Sequence, residues 1–202
     1  ICVALAKQGC NVVVNYCHGE AAAAETAALA KGMGDIDVLV LNASLQYREK
    51  WEDISLDRCT QQLNCNFVSS LLLIQAAVPH MKAQNSGRII TVGSVQEAKP
   101  HPDMLVYSAS KAAQTNMVRS LSLQLAPFGI TVNNVAPGVI YTDRNIKALS
   151  DPAYAEKVTN SIPLGFYGKP EDCTGIVRLL CSDAGRYITG QSIFVDGGKS
   201  VQ

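Results

Sequence analysis

Net charge is missing from this sequence: seventeen basic residues are cancelled by seventeen acidic ones, and no long run of one sign occurs. Nucleic-acid grooves and anionic membrane surfaces call for basic patches, so neither partner is expected. Metal-site spacing is missing as well. The seven cysteines, at 2, 10, 17, 59, 65, 173 and 181, form no Cys-x-x-Cys pair and have no histidine at ligand spacing. Neither a zinc site nor a disulfide framework is indicated, and no metal ligand is assigned. An odd cysteine count fits a reducing compartment, so a cytoplasmic location is the expectation. No apolar run is long enough to span a bilayer. The first residues read as part of a helix and not as a charged-then-apolar leader. A soluble chain whose natural start lies further upstream is expected.

What is present is ordinary globular material, with 48% hydrophobic and 17% charged residues over 202 positions. That length suits one domain, taken as residues 1–202, with a substantial core and a small-molecule ligand. Residues 1 to 8 carry helical spacing, and Val12-Val13-Val14 is a short β-branched run. The alanine-rich span Glu20 to Lys31 favours helix, and Ile36 to Leu41 reads as a strand ending at Asn42-Ala43-Ser44. From Ser55 to about Met81 the apolar residues recur at helical spacing, and Gly87 to Gly93 is a strand that reaches Ser94. Residues 105 to 126 read as helix, Ile130 to Val135 as strand, the span from Pro170 as helix, and Ser192 to Val195 as the closing strand. Between Val139 and Ser161 the periodicity loosens.

Strands without polar alternation, separated by helices, argue a parallel sheet covered on both faces. Ligands bind such sheets outside the carboxyl ends of the strands. Asn42, Ser94 and Pro137 each follow a predicted strand, so the polar punctuation gathers at one edge.

At that edge stands Tyr107-Ser-Ala-Ser-Lys111. On a helix its tyrosine and lysine face the same side. A nearby ammonium favours the ionised phenol, which lets a tyrosine trade protons near neutral pH. Ser94 adds a hydroxyl that can bind a substrate oxygen. With seven tyrosines and ten lysines, a Tyr-x-x-x-Lys arises by chance about 0.35 times, so the context has to decide.

The context resembles the short-chain dehydrogenase/reductase family. Ser94 precedes Tyr107 by thirteen residues, as the family's serine does, and Val135-Ala-Pro-Gly138 resembles its Pro-Gly turn. Asn42-Ala43-Ser44 resembles the Asn-Ala-Gly turn with serine in the glycine position. Ile162 to Gly165, Gly168 to Asp172 and Thr189 to Gly198 resemble its closing segment. The resemblance implies a Rossmann-type, doubly wound, three-layer α/β/α fold and an enzyme that uses a nicotinamide cofactor. It implies catalytic roles for Asn66, Ser94, Tyr107 and Lys111, with Asn66 chosen over Asn64 by its distance from Pro79-His-Met81. Asn66 would hold a relay water, Ser94 would polarise the substrate oxygen, Tyr107 would exchange its proton, and Lys111 would lower the tyrosine pKa and hold the ribose. Tyr16, Asn42, Ala43, Tyr107, Lys111, Pro137, Gly138, Ile140 and Thr142 are the expected cofactor contacts.

Two departures from the family pattern stand out. The glycine-rich pyrophosphate loop has no counterpart, because residue 1 already lies inside the helix that follows it. Between Ala21 and Asp35 there is no room for the family's third strand and its flanking helices. The expectation is that the chain joins segments of a longer protein near Lys31-Gly32. Where NAD-specific members carry an acidic residue at the end of the second strand, this sequence has Tyr16, which leans towards NADP with NAD as the alternative. Substrate choice falls to residues 95–105 and 139–166. There Arg144 reads either as an anion contact or as a solvated surface arginine. Reduction of 3-oxoacyl-carrier-protein-like carbonyls and oxidation of sugars or polyols are the options. The rival reading is a nucleotide-binding regulatory or scaffold protein that has lost turnover. The resemblance also implies a homo-oligomer, tetramer or dimer, built through the long helices.

Overall fold

The computed structural model describes residues 1–7 and 36–202. The expected strand at Val12–Val14, the helix from Glu20 to Lys31, Tyr16 and the break near Lys31 lie outside the described residues. Among the described residues four strands form one parallel sheet in the order β1-β2-β3-β4: β1 Val38–Leu41, β2 Gly87–Val92, β3 Ile130–Pro137 and β4 Ser192–Val195. Leu41 pairs with Thr91, Val92 with Val135, and Pro137 with Val195, so all four carboxyl ends emerge at the same edge.

Parallel neighbours need a crossover, and helices supply it. The described helices are α1 Cys2–Ala6, α2 Leu56–Leu63, α3 Ser69–Ala83, α4 Leu105–Leu125, α5 Asp143–Leu149, α6 Pro152–Asn160 and α7 Pro170–Cys181. Successive strand residues point to opposite faces, and both faces are covered. On one side Leu41, Ile89, Ile130 and Val132 pack with Ile74, Ala77 and Met81 of α3 and Met117, Val118 and Leu125 of α4. On the other, Ile90 and Val135 pack with Val177 and Leu180 of α7, and Val38, Val40 and Ile1 join them. Adjacent Ile89 and Ile90 thus serve different cores, which is why the strands read as unbroken apolar runs. The three-layer α/β/α, Rossmann-type arrangement is the one the sequence implied.

Two regions differ from expectation. The loose stretch after Val139 forms α5 and α6, which close over their own small cluster of Leu149, Val158 and Ile162 with Tyr154 and Tyr167 packed against it. Asp151 caps α6 through a side-chain bond to the Ala153 amide, and Pro152 opens it. The single helix read from Ser55 to Met81 is interrupted: Asn64–Val68 form a π-helical turn between α2 and α3.

Candidate active site

The π turn sets the first functional side chain. A wider turn inserts an extra residue into the helical count and rotates the residues within it, a device frequent at functional sites. Here it turns Asn66 fully inward, at 0% exposure, while Asn64 stays at the surface. The Asn66 carboxamide is spoken for. Its oxygen accepts from the Leu45 amide at 2.7 Å, and its nitrogen donates to Leu45 O and to Ser110 Oγ, both at 2.9 Å. Ser110 in turn donates to the Tyr107 carbonyl at 2.7 Å. Asn66 therefore pins the loop after β1 to the helical turn that carries Tyr107.

Ser94 leaves the end of β2 in extended conformation and caps a short 3-10 turn, accepting from the Gln96 amide at 3.2 Å. Gln96 reaches across to accept from Ser108 Oγ at 2.9 Å, which locks the serine loop to α4. Tyr107, in the first turn of α4, is 6% exposed. Burial pushes its phenol above the ordinary tyrosine range, against smaller opposing effects from hydrogen bonding to Ser94, the Arg144 cation and hydrogen bonding to Ser44. The expected cation was Lys111; the one acting on the phenol is Arg144. The reason is the direction of the lysine. Its ammonium lies 5.8 Å from the Tyr107 ring centroid but donates to Val92 O at 2.7 Å and to Gln114 Oε1 at 3.2 Å. Burial, with a further contribution from Arg144, lowers Lys111 from 10.5 to about 8.

Two residues of this site carried no role in the sequence reading. Ser44 was visible only as a serine in a glycine position. Its carbonyl accepts from Arg144 Nη2 at 2.7 Å and its hydroxyl from Nη1 at 3.1 Å, so the guanidinium forks onto the β1 loop. Gln114 is fully buried beside the lysine, one turn beyond it on α4, among the buried polar residues Ser110 and Thr115, so no contrast in the sequence marked it.

The expected cofactor contacts that fall among the described residues lie at the same sheet edge. Asn42 and Ala43 are exposed just past β1. Pro137 ends β3 and Gly138 follows, its amide bonded to Val195 O at 2.9 Å. A side chain at Gly138 would bring Cβ within 2.7 Å of Asp196 Cα, so only glycine lets the ends of β3 and β4 approach this closely. Ile140 bridges to Gly168, and Thr142 precedes α5 without its side chain accepting a capping bond.

A nicotinamide dinucleotide fits this donor set. A charged lysine has three N–H groups, of which the chain satisfies two, leaving one for a ligand hydroxyl. The exposed Asn42 stands just past β1, and Thr142 follows β3 at the start of α5, on the side of the sheet where dinucleotides bind doubly wound folds.

A serine, a tyrosine and a lysine thus gather at the carboxyl edge of the sheet, as the resemblance to nicotinamide-dependent oxidoreductases implied. Comparison with known proteins agrees. The family model described as enoyl-(acyl carrier protein) reductase matches residues 20–200. Dehydrogenase/reductase SDR family member 4 from Bos taurus is 34% identical over 199 residues, covering 96% of this chain and 71% of that protein. A gluconate 5-dehydrogenase from Burkholderia cenocepacia, solved with NADP and tartrate, superposes with a TM-score of 0.85 at 29% identity, covering 91% of this chain and 72% of the other. A 3-oxoacyl (acyl-carrier-protein) reductase from Agrobacterium tumefaciens, solved with NADP, gives 0.83 at 30% identity, covering 89% and 70%. The chain belongs to the short-chain dehydrogenase/reductase family and is an NAD(P)-dependent oxidoreductase.

Proposed function

We propose that the protein interconverts a carbonyl and an alcohol on a small molecule, with NADP(H) as the preferred cofactor and NAD(H) the alternative. The observation that carries this is the meeting of the Tyr107 phenol with Ser94 at the strand edge, above a buried lysine. The bound cofactor supplies or accepts the hydride. Ser94 holds the substrate oxygen, and Tyr107 gives that oxygen a proton in reduction or takes one in oxidation. Lys111 contributes its remaining N–H to a ribose hydroxyl. Arg144, forked onto Ser44 of the β1 loop, supplies the positive charge that favours the phenolate. Asn66 acts through Leu45 and Ser110, holding the β1 loop against the tyrosine turn. Asn42, Ala43, Pro137, Gly138, Ile140 and Thr142 bind the cofactor. The neighbour solved with NADP and tartrate supports a small polyhydroxylated substrate, and the neighbour named as an acyl-carrier-protein reductase supports a 3-oxoacyl one.

Residues 1–202 act as one catalytic domain in this account, and the exposed apolar side chains of α3 and α4, Leu72 and Leu123 among them, suit assembly into a homo-oligomer. Among the described residues no helix is long and apolar enough to cross a membrane. The experiment is a titration with NADPH and NADH followed by a panel of sugars, polyols and 3-oxoacyl thioesters, read at the nicotinamide absorbance. Turnover with NADPH and at least one panel member is expected. Tight cofactor binding without turnover on any member would favour a silent nucleotide-binding protein instead.

A further inference from the structure

A lysine at 1% exposure has to find partners for its ammonium, and one of them comes from a residue with no assigned role. Gln114 is 0% exposed, and its Oε1 accepts from Lys111 Nζ at 3.2 Å. The other end of the same amide, Nε2, donates to Ser70 Oγ at 3.2 Å, and the Ser70 hydroxyl donates to the Asn66 carbonyl at 3.3 Å. Three hydrogen bonds thus run from the lysine on α4 across to α3 and end on the π turn. Their direction is fixed by chemistry. A charged ammonium has only donors, so it must face the amide oxygen; the amide nitrogen is left to donate, and Ser70 spends its single hydrogen on the carbonyl.

An apolar side chain would fill this buried position without any need of partners, whereas a glutamine is tolerated only when both ends are satisfied. The polarity at position 114 is matched to the lysine beside it. A neutral amide carries no titrating proton, so the chain holds and stabilises the ammonium and does not conduct protons.

We propose that Gln114 is a positioning residue for Lys111, its carboxamide braced by Ser70 against the Asn66 carbonyl so that the ammonium stays charged and fixed behind Tyr107. The proposal rests on the role given to Lys111 above. The other titratable or charged groups around the lysine are Tyr107 on its own helix, Arg144 on α5, Cys65 on the π turn and Glu97 after β2.

The test follows carbonyl reduction with NADPH across neutral to alkaline pH. Reduction needs a protonated tyrosine and a charged lysine, so its alkaline limb reports loss of the lysine proton. Gln114→Leu removes the acceptor, and the limb should move to lower pH by about one unit, with kcat reduced and KM for the carbonyl unchanged. Gln114→Glu places a carboxylate there, and the limb should move to higher pH. Ser70→Ala, which leaves the amide unbraced, should shift it in the same direction as leucine but by less. A purely structural role would lower the melting temperature and leave the limb in place. Folded Gln114→Leu and Gln114→Glu variants that both keep the wild-type limb overturn the proposal. Should the leucine variant not fold, the glutamate and Ser70→Ala variants decide by the same limb. Lys111→Ala separates the two layers. If that variant retains full turnover, the role of Lys111 fails and takes this proposal with it. If it is inactive while the Gln114 variants match wild type, the positioning role alone is refuted.

Discussion

Lys111 makes the stability of this protein depend on alkaline pH in a way that can be worked from the structure. In the unfolded chain its ammonium holds its proton up to the ordinary 10.5; in the folded protein burial brings that down to about 8. Between those two values the unfolded state binds more protons, so stability rises with pH across that window. Below about pH 8 the cost of burying the charge is present in full, and above 10.5 it is gone. At about 1.4 kcal/mol for each pH unit, the whole effect is about 3 kcal/mol. Urea unfolding of the cofactor-free protein at a series of pH values would measure it, with Lys111→Met as the reference. Other groups titrate in both proteins and cancel in the difference. They include Tyr107, whose raised pKa acts with the opposite sign above the ordinary tyrosine value. Methionine leaves Val92 O and Gln114 Oε1 without their donor, so the variant need not be the more stable protein; the slope is what counts. A wild-type minus variant difference that stays flat from neutral pH to pH 10.5 would refute the reasoning.

Asn66→Ala strips three hydrogen bonds that join Leu45 to Ser110. At about 1–3 kcal/mol for each buried group left unpaired, a loss of about 3 kcal/mol or more is expected, seen as a lower urea midpoint at unchanged m. Arg144→Ala removes both the fork onto Ser44 and the cation that pulls the Tyr107 phenol down. Alcohol oxidation, which needs the phenolate, should then be roughly threefold slower at neutral pH and recover at higher pH. An acid limb identical to wild type would show that Arg144 does not act on the tyrosine.

The sequence carried the layered fold because its strongest signals are periodic. Ser192 to Val195 is the strand expected, and the helix ending before Pro127 runs from Leu105 to Leu125. Apolar side chains at Ile89 and Ile90 left no polar face, which is the mark of a doubly covered sheet. What stayed hidden has physical reasons. The π turn at Asn64–Val68 shifts the helical phase by a fraction of a turn, too little to break the apolar spacing of the flanking helices. Helices α5 and α6 are short and separated by Ser150-Asp151, so neither repeats long enough to show a period. Ser44 and Gln114 gain their meaning only from partners far along the chain, Arg144 a hundred residues on for the first and Ser70 forty-four residues back for the second. The motif residues were legible because a four-residue spacing is itself a statement about one helix face. The direction in which Lys111 points was not, since the carbonyl it bonds belongs to another element, at Val92.

The central claim is that Tyr107 exchanges the substrate proton at the edge where Ser94 and Lys111 meet. Tyr107→Phe keeps the ring in its buried place and deletes only the hydroxyl. With NADPH and any carbonyl substrate the wild-type protein reduces, the variant should lose at least about a thousandfold in kcat while binding NADPH within about threefold of wild type by fluorescence titration. A phenylalanine variant that turns over at the wild-type rate would contradict the account.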